Sequence, residues 1–360
     1  MAQENQAINL SQGFPDFPVS DVLIDLIHQS MKAGHNQYAP MAGVPALRNV
    51  IAKTIEETYS RSTNPETEIT ITAGGTEALF SAIAGLVSAG DEVILFDPSY
   101  DCYGPAIRLN GGIPIAINLT APDFSIDWEE VESRVNTTTR MIIVNTPHNP
   151  TGTVLLAGDM KKLERLAVKH NLIVLSDEVY ERIIFDETPH ESILKYPGLA
   201  SRAIAIFSFG KTFHATGWKI GYAVAPESLT TEIRKSHQFI TFSVNTPVQF
   251  ALATYMLEPE NYLQLGKFYQ KKRDTFLEQL KGSSFQPLSC KGSYFQLLSY
   301  RAVSDKTEME MAEWLTREHK LASIPVSAFY RDKSEDRLLR FCFAKQDETL
   351  ARAGEILKKF

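Results

Sequence analysis

A lysine stands near the end of an apolar run in the stretch "AIAIFSFGKTFHATGWKIGY", residues 203–222. Ser208 precedes Lys211 and Lys219 follows it, so one short segment holds a hydroxyl and two amines. A solvated loop could have this composition. A phosphate-binding P-loop is excluded, because its spacing requires a glycine at position 205, where the chain has Ala205. The remaining interpretation is a lysine whose pKa is lowered by burial, so that the free amine attacks a carbonyl and forms an imine.

Two other apolar runs end in residues that could bind a planar or phosphorylated ligand. Gly75 and Thr76 follow "ITIT" and open a helical pattern. A helix N-terminus offers free N–H groups and a positive dipole end to a phosphate, although a plain turn has the same composition. Tyr100 and Tyr103 follow "EVILFDP". One of them could stack on a planar ring, and the alternative is two loop tyrosines packed on the domain surface.

Polar residues also follow the runs "MIIV" and "LIVL". Asn149 lies among prolines, where a rigidly held amide can donate to an oxygen of fixed position, although a turn would look the same. Asp177 comes directly after an apolar strand pattern, with Tyr180 three residues later. A partly desolvated acid needs a cationic partner or strong donors. The competing interpretation of Asp177 is a helix N-cap.

The elements that must position these residues alternate between short apolar runs and amphipathic helical segments. Runs such as "MIIV", "LIVL" and "AIAIF" show no polar alternation, which is typical of parallel strands covered by helices on both faces. The chain is therefore predicted to be α/β. From about residue 258 a long helical stretch, Glu258 to Leu280, precedes a mixture of helices and short strands. We expect a large domain over residues 36–257 and a smaller α+β domain formed by residues 1–35 together with 258–360.

Composition excludes several classes of function. The 360 residues carry a net charge of -7, which argues against a nucleic-acid surface. No apolar run approaches the length of a membrane span, and the first residues lack the pattern of a signal peptide. The three cysteines are widely spaced, and the eight histidines include no metal-ligand pair. We expect a soluble cytoplasmic protein without a metal site.

One cofactor would explain all of these signals together, and it is pyridoxal phosphate. It needs an imine-forming lysine and a phosphate cup. It also needs an acid opposite its ring nitrogen, donors to its phenolic oxygen and an aromatic side chain over its ring.

The motifs "NTPHNPTG", "SDEVY" and "SFGKTFHATGWKIGY" resemble those of class I aminotransferases, which depend on pyridoxal phosphate and have fold type I. "SQGFPDFP", "NQYAPMAG" and "RFCFAK" are similar to the group of methionine aminotransferases and of kynurenine aminotransferases that are also cysteine-conjugate β-lyases. The resemblance runs from about Ile8 to the C-terminus. It implies a large cofactor-binding domain with a mainly parallel sheet between helices, and a smaller α+β domain. The N-terminal arm is shorter than is usual in this group, which leaves its share of the dimer contact open.

The resemblance also implies roles for individual residues. Lys211 would form the internal aldimine and move the proton, and Asp177 would keep the pyridine nitrogen protonated. The remaining cofactor-binding residues would be Gly75, Thr76, Tyr100, Asn149, Tyr180, Ser208, Lys219 and, from a neighbouring subunit of a homodimer, Tyr38. Arg340 would bind the substrate carboxylate, with Asn149 beside it, and Gly13 would allow a close approach. The walls around the substrate side chain would come from Phe14, Tyr38, Tyr103 and Phe242.

The function expected from these observations is transfer of the amino group of methionine or an aromatic amino acid, kynurenine among them, to a 2-oxo acid. Elimination from cysteine conjugates would use the same residues, and pyruvate formed without an added oxo acid would distinguish it. A regulator that senses the cofactor without catalysis is a remote alternative. Such proteins carry an additional DNA-binding domain, whereas this chain is acidic.

Overall fold

Thirteen strands form three sheets in the computed structural model, which describes residues 1–360. The strands are β1 (Ile8–Asn9), β2 (Ile69–Thr72), β3 (Glu92–Asp97), β4 (Ile113–Asn118), β5 (Thr139–Asn145), β6 (Ile173–Asp177), β7 (Ala203–Ser208), β8 (Gly221–Val224), β9 (Gln286–Pro287), β10 (Phe295–Ser299), β11 (Leu321–Ala322), β12 (Ile324–Pro325) and β13 (Leu338–Cys342). Seven of them form one sheet in the order β2-β8-β7-β6-β5-β3-β4. β8 alone runs opposite to the other six strands, so the sheet is mainly parallel, as predicted.

Helices connect and cover the strands, which gives the α/β architecture. They are α1 (Asp21–Lys32), α2 (Pro45–Tyr59), α3 (Gly75–Leu86), α4 (Tyr103–Leu109), α5 (Trp128–Arg134), α6 (Ala157–Lys169), α7 (Pro197–Ala200), α8 (Phe209–Thr212), α9 (Glu227–Ile240), α10 (Thr246–Tyr255), α11 (Glu260–Leu263), α12 (Leu265–Gln279), α13 (Glu308–Glu318) and α14 (Asp347–Leu357). Three short 3₁₀ turns lie at Ile193–Lys195, Thr216–Trp218 and Val326–Phe329. No helix combines the length and the apolar character that crossing a membrane requires.

Both faces of the large sheet are covered by apolar residues, because successive side chains of a strand point to opposite sides. In β5, Ile142 and Val144 belong to a cluster of 45 buried residues on one face. Met141 and Ile143 belong to a cluster of 20 on the other face. The missing polar alternation of "MIIV" is therefore explained by burial on both sides.

The carboxyl ends of the parallel strands meet at one edge of the large sheet. Asn145 at the end of β5 is in register with Asp177 at the end of β6. Ser208 at the end of β7 pairs with Gly221, which also pairs with Thr72 at the end of β2. This edge therefore gathers the polar residues that follow the apolar runs, which is the usual position of a ligand in such sheets.

A four-stranded antiparallel sheet, in the order β12-β13-β10-β9, lies beside a third cluster of 26 buried residues. The N-terminal strand β1 pairs with β11, which joins the start of the chain to this region. Helix α1 follows β1 and packs on α10, and its Leu23 is buried in the cluster of 45 residues. The division at residues 36–257 stays a prediction.

Candidate active site

A cavity of about 340 Å³ opens at the carboxyl edge of the large sheet, and residues of the four-stranded sheet close its other side. Eleven of the predicted site residues line it: Gly13, Gly75, Thr76, Tyr100, Asn149, Asp177, Tyr180, Ser208, Lys211, Lys219 and Arg340. They come from segments up to about 330 residues apart in the chain, and the sheet edge is what brings them together.

Lys211 lies in the short helix α8, which follows β7 directly. Its Nζ donates to the hydroxyl of Tyr294 at 2.7 Å and to the carbonyl of Gly13 at 3.4 Å. Burial lowers the pKa of Lys211 to about 8, while the nearby Cys342 and Asp177 raise it. Near neutral pH a useful fraction of the amine is therefore unprotonated and nucleophilic.

Asp177 ends β6 and is only 3% exposed. The hydroxyl of Tyr103 donates to Oδ2 at 2.6 Å, and the backbone N–H of Val179 donates to Oδ1 at 3.3 Å. No helix begins here, so the alternative of a helix N-cap is wrong. Burial raises the pKa of Asp177 to about 6 against the opposing effects of Tyr103, Val179 and Lys211. The carboxylate thus borders the cavity without a salt-bridge partner.

One end of the cavity is suited to an anion. Gly74 has a φ of +83°, which glycine adopts readily, and it precedes the first residue of α3, where no side chain caps the helix. A Cβ atom at Gly74 would lie 3.5 Å from Nζ of Lys219, so the ammonium stands beside the free N–H groups of the helix start. Thr76 Oγ1 lies 3.1 Å from the hydroxyl of Tyr100. These groups together provide the charge and donors that a phosphate needs.

Arg340 in β13 provides a second cationic group at the opposite side. Its guanidinium lies between the rings of Phe295 and Phe329, whose centroids are 4.0 and 4.7 Å from Cζ. Nη1 donates to Asn149 Oδ1 at 2.7 Å and Nη2 to the carbonyl of Ser11 at 3.2 Å. The buried Nε has no partner. A guanidinium held flat in this way is suited to a carboxylate.

The bond from Arg340 also fixes the orientation of Asn149. Because a guanidinium can only donate, the amide must present its oxygen to Arg340. Its NH₂ group is then left as a donor in the cavity.

Four predicted site residues lie outside the cavity lining. Tyr103 is buried behind Asp177 and contacts its carboxylate rather than the open space. Phe14 is 43% exposed, and its ring lies under Nζ of Lys345. Tyr38 is 82% exposed and packs edge-to-face on Phe242 with ring centroids 5.4 Å apart.

Sequence reasoning missed several residues of the site. Tyr294 contacts Lys211, and Phe295 and Phe329 hold Arg340. Asn145, seen only as a strand-end residue, donates to the carbonyl of Asp177 at 2.8 Å. The aromatic pair after Gly292 was a visible signal, but no spacing in the sequence relates it to a lysine more than 80 residues earlier.

Comparison with known proteins gives a consistent result. The family model "Aminotransferase class I and II" matches residues 5–357. A methionine aminotransferase of Escherichia coli (strain K12) is 49% identical over 360 residues, covering 100% of this chain and 93% of that protein. Kynurenine–oxoglutarate transaminase 3 of Mus musculus is 36% identical, covering 99% of this chain and 86% of that protein.

Two solved structures extend the comparison to three dimensions. A crystal structure of an Escherichia coli protein identified with a methionine aminotransferase function matches with a TM-score of 0.98 at 49% identity, over 100% of this chain and 95% of that one. N-succinyldiaminopimelate aminotransferase from Mycobacterium tuberculosis matches with a TM-score of 0.95 at 34% identity, over 99% and 94% of the two chains.

Proposed function

This chain belongs to the class I and II aminotransferase family, and from that premise we propose that it transfers the amino group of methionine or an aromatic amino acid to a 2-oxo acid. One observation carries the proposal. A buried carboxylate without a counter-charge, Asp177, and a lysine with a lowered pKa, Lys211, line the same cavity. Perturbed groups of this kind are typical of active sites.

The residues fit pyridoxal phosphate. Asp177 lacks a cation, and a protonated ring nitrogen would supply one. The start of α3 with Lys219 and Ser208 would hold the phosphate. When bound, the cofactor supplies a ring that accepts the electron pair released at Cα of the amino acid.

The remaining roles follow from contacts of this chain. Lys211 would bind the aldehyde carbon of the cofactor and move the proton at Cα of the amino acid. The free NH₂ of Asn149 and the hydroxyl of Tyr180 would donate to the phenolic oxygen, and Tyr100 would lie over the ring. Tyr103 would act through Asp177, because its hydroxyl fixes the carboxylate from behind.

Charge in the cavity supports an apolar side chain on the amino donor. Lys211, Lys219 and Arg340 are the cationic residues of the lining, and each of them already has a role. Arg340 would bind the α-carboxylate, so no cation of this chain remains for a second one. The nearby walls include Leu79 and Ile324. A second carboxylate would be desolvated there without a partner, which costs more than apolar contact gains for methionine.

The exposed aromatic residues support a homodimer. Phe239 is 86% exposed and Tyr38 is 82% exposed, and large apolar side chains on a surface often mark an interface. We propose that Tyr38 of one subunit reaches the phosphate end of the cavity in the other. The working compartment we propose is the cytoplasm.

A panel of amino donors with one shared acceptor tests the proposed function. Methionine, phenylalanine, tyrosine and kynurenine should each give a larger kcat/KM than aspartate. If aspartate is the best donor, the assignment of the substrate pocket is wrong. Pyruvate formed from a cysteine conjugate without any added oxo acid would instead show elimination as the main activity.

A further inference from the structure

Tyr294 is a fully buried tyrosine whose hydroxyl contacts the amine of Lys211. It lies just before β10 and is 0% exposed. Its ring packs edge-to-face on Tyr180, with centroids 5.1 Å apart, and on Phe295 at 4.9 Å. The backbone is fixed as well, because the N–H of Phe343 donates to the carbonyl of Tyr294 at 3.0 Å. The hydroxyl therefore has a defined position beside the amine of Lys211.

The direction of the hydrogen bonds at this hydroxyl is determined by its neighbours. The carbonyl of Gly13 can only accept, and Tyr294 Oη donates to it at 2.6 Å. Oη must then use a lone pair toward Lys211, whose Nζ donates to it at 2.7 Å. Burial raises the pKa of Tyr294 well above its usual value, so the hydroxyl stays protonated and can donate its hydrogen bond to the carbonyl of Gly13.

Apart from the carbonyl of Gly13, which accepts from Nζ at 3.4 Å, no other group around the amine makes such a contact. Tyr180, expected to bind the cofactor, has its ring centroid 5.4 Å from Nζ and no hydrogen bond to it. The titratable or charged groups that face Lys211 are Asp177 and Tyr180 from the end of β6, Lys219 from the loop before β8, Arg340 and Cys342 from β13, and Tyr294 itself. Among these, only the hydroxyl of Tyr294 accepts a hydrogen bond from Nζ.

We propose that Tyr294 is a positioning residue. Its hydroxyl, oriented by the carbonyl of Gly13, holds the amine of Lys211 whenever that amine is not covalently bound to the cofactor. The inference rests on the proposed function, since it describes how the Lys211 amine is held while it is not bound to the cofactor. It joins the N-terminal segment to the reacting lysine. The contact also favours the ammonium form, because a charged donor gains more from an acceptor than a neutral amine does.

The test is the pH dependence of imine formation. The cofactor-free full chain is mixed with pyridoxal phosphate at a series of pH values, and the rate of appearance of the imine absorbance band is recorded. Its midpoint reports the pKa of the Lys211 amine. Tyr294→Phe removes one acceptor of the ammonium, so the midpoint should fall by about one pH unit.

Tyr269→Phe is the matched control. Tyr269 is also 0% exposed, its hydroxyl has no hydrogen-bond partner, and its ring lies 5.7 Å from that of Tyr294. It loses the same atom in the same aromatic cluster, and its midpoint should equal that of the wild type. An unchanged midpoint in Tyr294→Phe, or equal shifts in both variants, overturns the proposal.

A crystal structure of the cofactor-free wild-type chain gives a check that needs no variant. If Lys211 Nζ lies outside hydrogen-bonding distance of Tyr294 Oη in that structure, the inference is wrong, whether or not Tyr294→Phe folds. A wild-type chain that forms no imine at any pH contradicts the proposed function. A wild-type chain that forms one, with Tyr294→Phe unshifted, contradicts only the role of Tyr294.

Discussion

Burial moves the two central ionisable side chains toward their neutral forms. It raises the pKa of Asp177 to about 6 and lowers that of Lys211 to about 8. The two groups face one cavity without a salt bridge, so each keeps its capacity for a ligand. A carboxylate in this state binds a cationic ring nitrogen, and an amine in this state attacks a carbonyl. The chemistry of the site is thus set by desolvation at single residues.

Asp177→Asn should make the cofactor-free chain more stable at alkaline pH. The folded pKa of about 6 exceeds the ordinary value of 3.8, so the folded chain holds the proton more tightly than the unfolded chain. The wild type therefore loses stability as pH rises from about 4 to about 6, by about 3 kcal/mol in all. Asparagine avoids this loss because it does not ionise.

Thermal unfolding of both cofactor-free proteins on either side of that pH window measures the difference. The variant should exceed the wild type above the window, and the gap should shrink below it. The same variant should bind the cofactor and lose most of its turnover, since an amide cannot keep the ring nitrogen protonated. A variant less stable than the wild type at every pH would show that Asp177 is not a desolvated acid.

At the scale of elements, the strand ends were predictable and the second sheet's contribution was not. Apolar runs without polar alternation located β5, β6 and β7. The apolar residues at helical spacing in α6, which are Met160, Leu163, Leu166 and Ala167, are buried. Parallel strands share one edge, so residues such as Asp177 and Lys211 could be grouped from the sequence.

Other parts of the site depend on packing that no local pattern encodes. Phe295 and Phe329 line the cavity, and Tyr294 contacts Lys211, because the four-stranded sheet closes the other side of the cavity. Tyr103 was predicted to line the substrate pocket. It lies at the start of α4 instead, and its hydroxyl donates to the carboxylate of Asp177. The expected helix from Glu258 to Leu280 is two helices, α11 and α12, which meet at Gln264.

Arg331→Ala should weaken substrate binding through an element rather than through contact. Asp97 lies at the end of β3. Arg331 Nη1 donates to its Oδ1 at 3.0 Å, and the backbone N–H of Arg331 donates to its Oδ2 at 3.0 Å. This pair anchors the segment whose Phe329 lies over Arg340. Its loss should raise KM for the amino acid more than it lowers kcat. It should also cost on the order of 3 kcal/mol of stability, because Asp97 is left buried.

Arg301→Ala is the control for this prediction. Its pair with Asp336 is 3.5 Å long and largely exposed, so its loss should cost less than about 1 kcal/mol. Steady-state kinetics and denaturant unfolding compare the two variants. If Arg331→Ala and Arg301→Ala change KM equally, Arg331 does not have the proposed anchoring role.

At the scale of the whole molecule, we propose that each active site lies between two subunits. The cavity is bordered by one chain, while Tyr38 and Phe242 lie together on the surface away from its lining. Tyr38 is 82% exposed, and in the proposed dimer the partner subunit would cover it.

Mixing two inactive variants should restore activity. In a dimer of Lys211→Ala with Tyr38→Ala, one site combines an intact Lys211 from one subunit with an intact Tyr38 from the other. That site should work at the wild-type rate, giving half of the native activity per dimer, while each variant alone stays impaired. If mixing, verified by exchange of differently tagged subunits, restores nothing, Tyr38 does not act across the interface.

The two lysines of the cavity can be compared to test whether Lys211 is the residue that forms the imine. Lys211→Ala and Lys219→Ala remove the same amine at two positions that border one cavity. Both variants are mixed with pyridoxal phosphate, methionine and a 2-oxo acid, and the imine absorbance band and turnover are recorded. We expect that Lys211→Ala shows neither band nor turnover, whereas Lys219→Ala keeps the band and binds the cofactor more weakly. Near-native turnover in Lys211→Ala, or cofactor affinity unchanged in Lys219→Ala, would contradict this expectation.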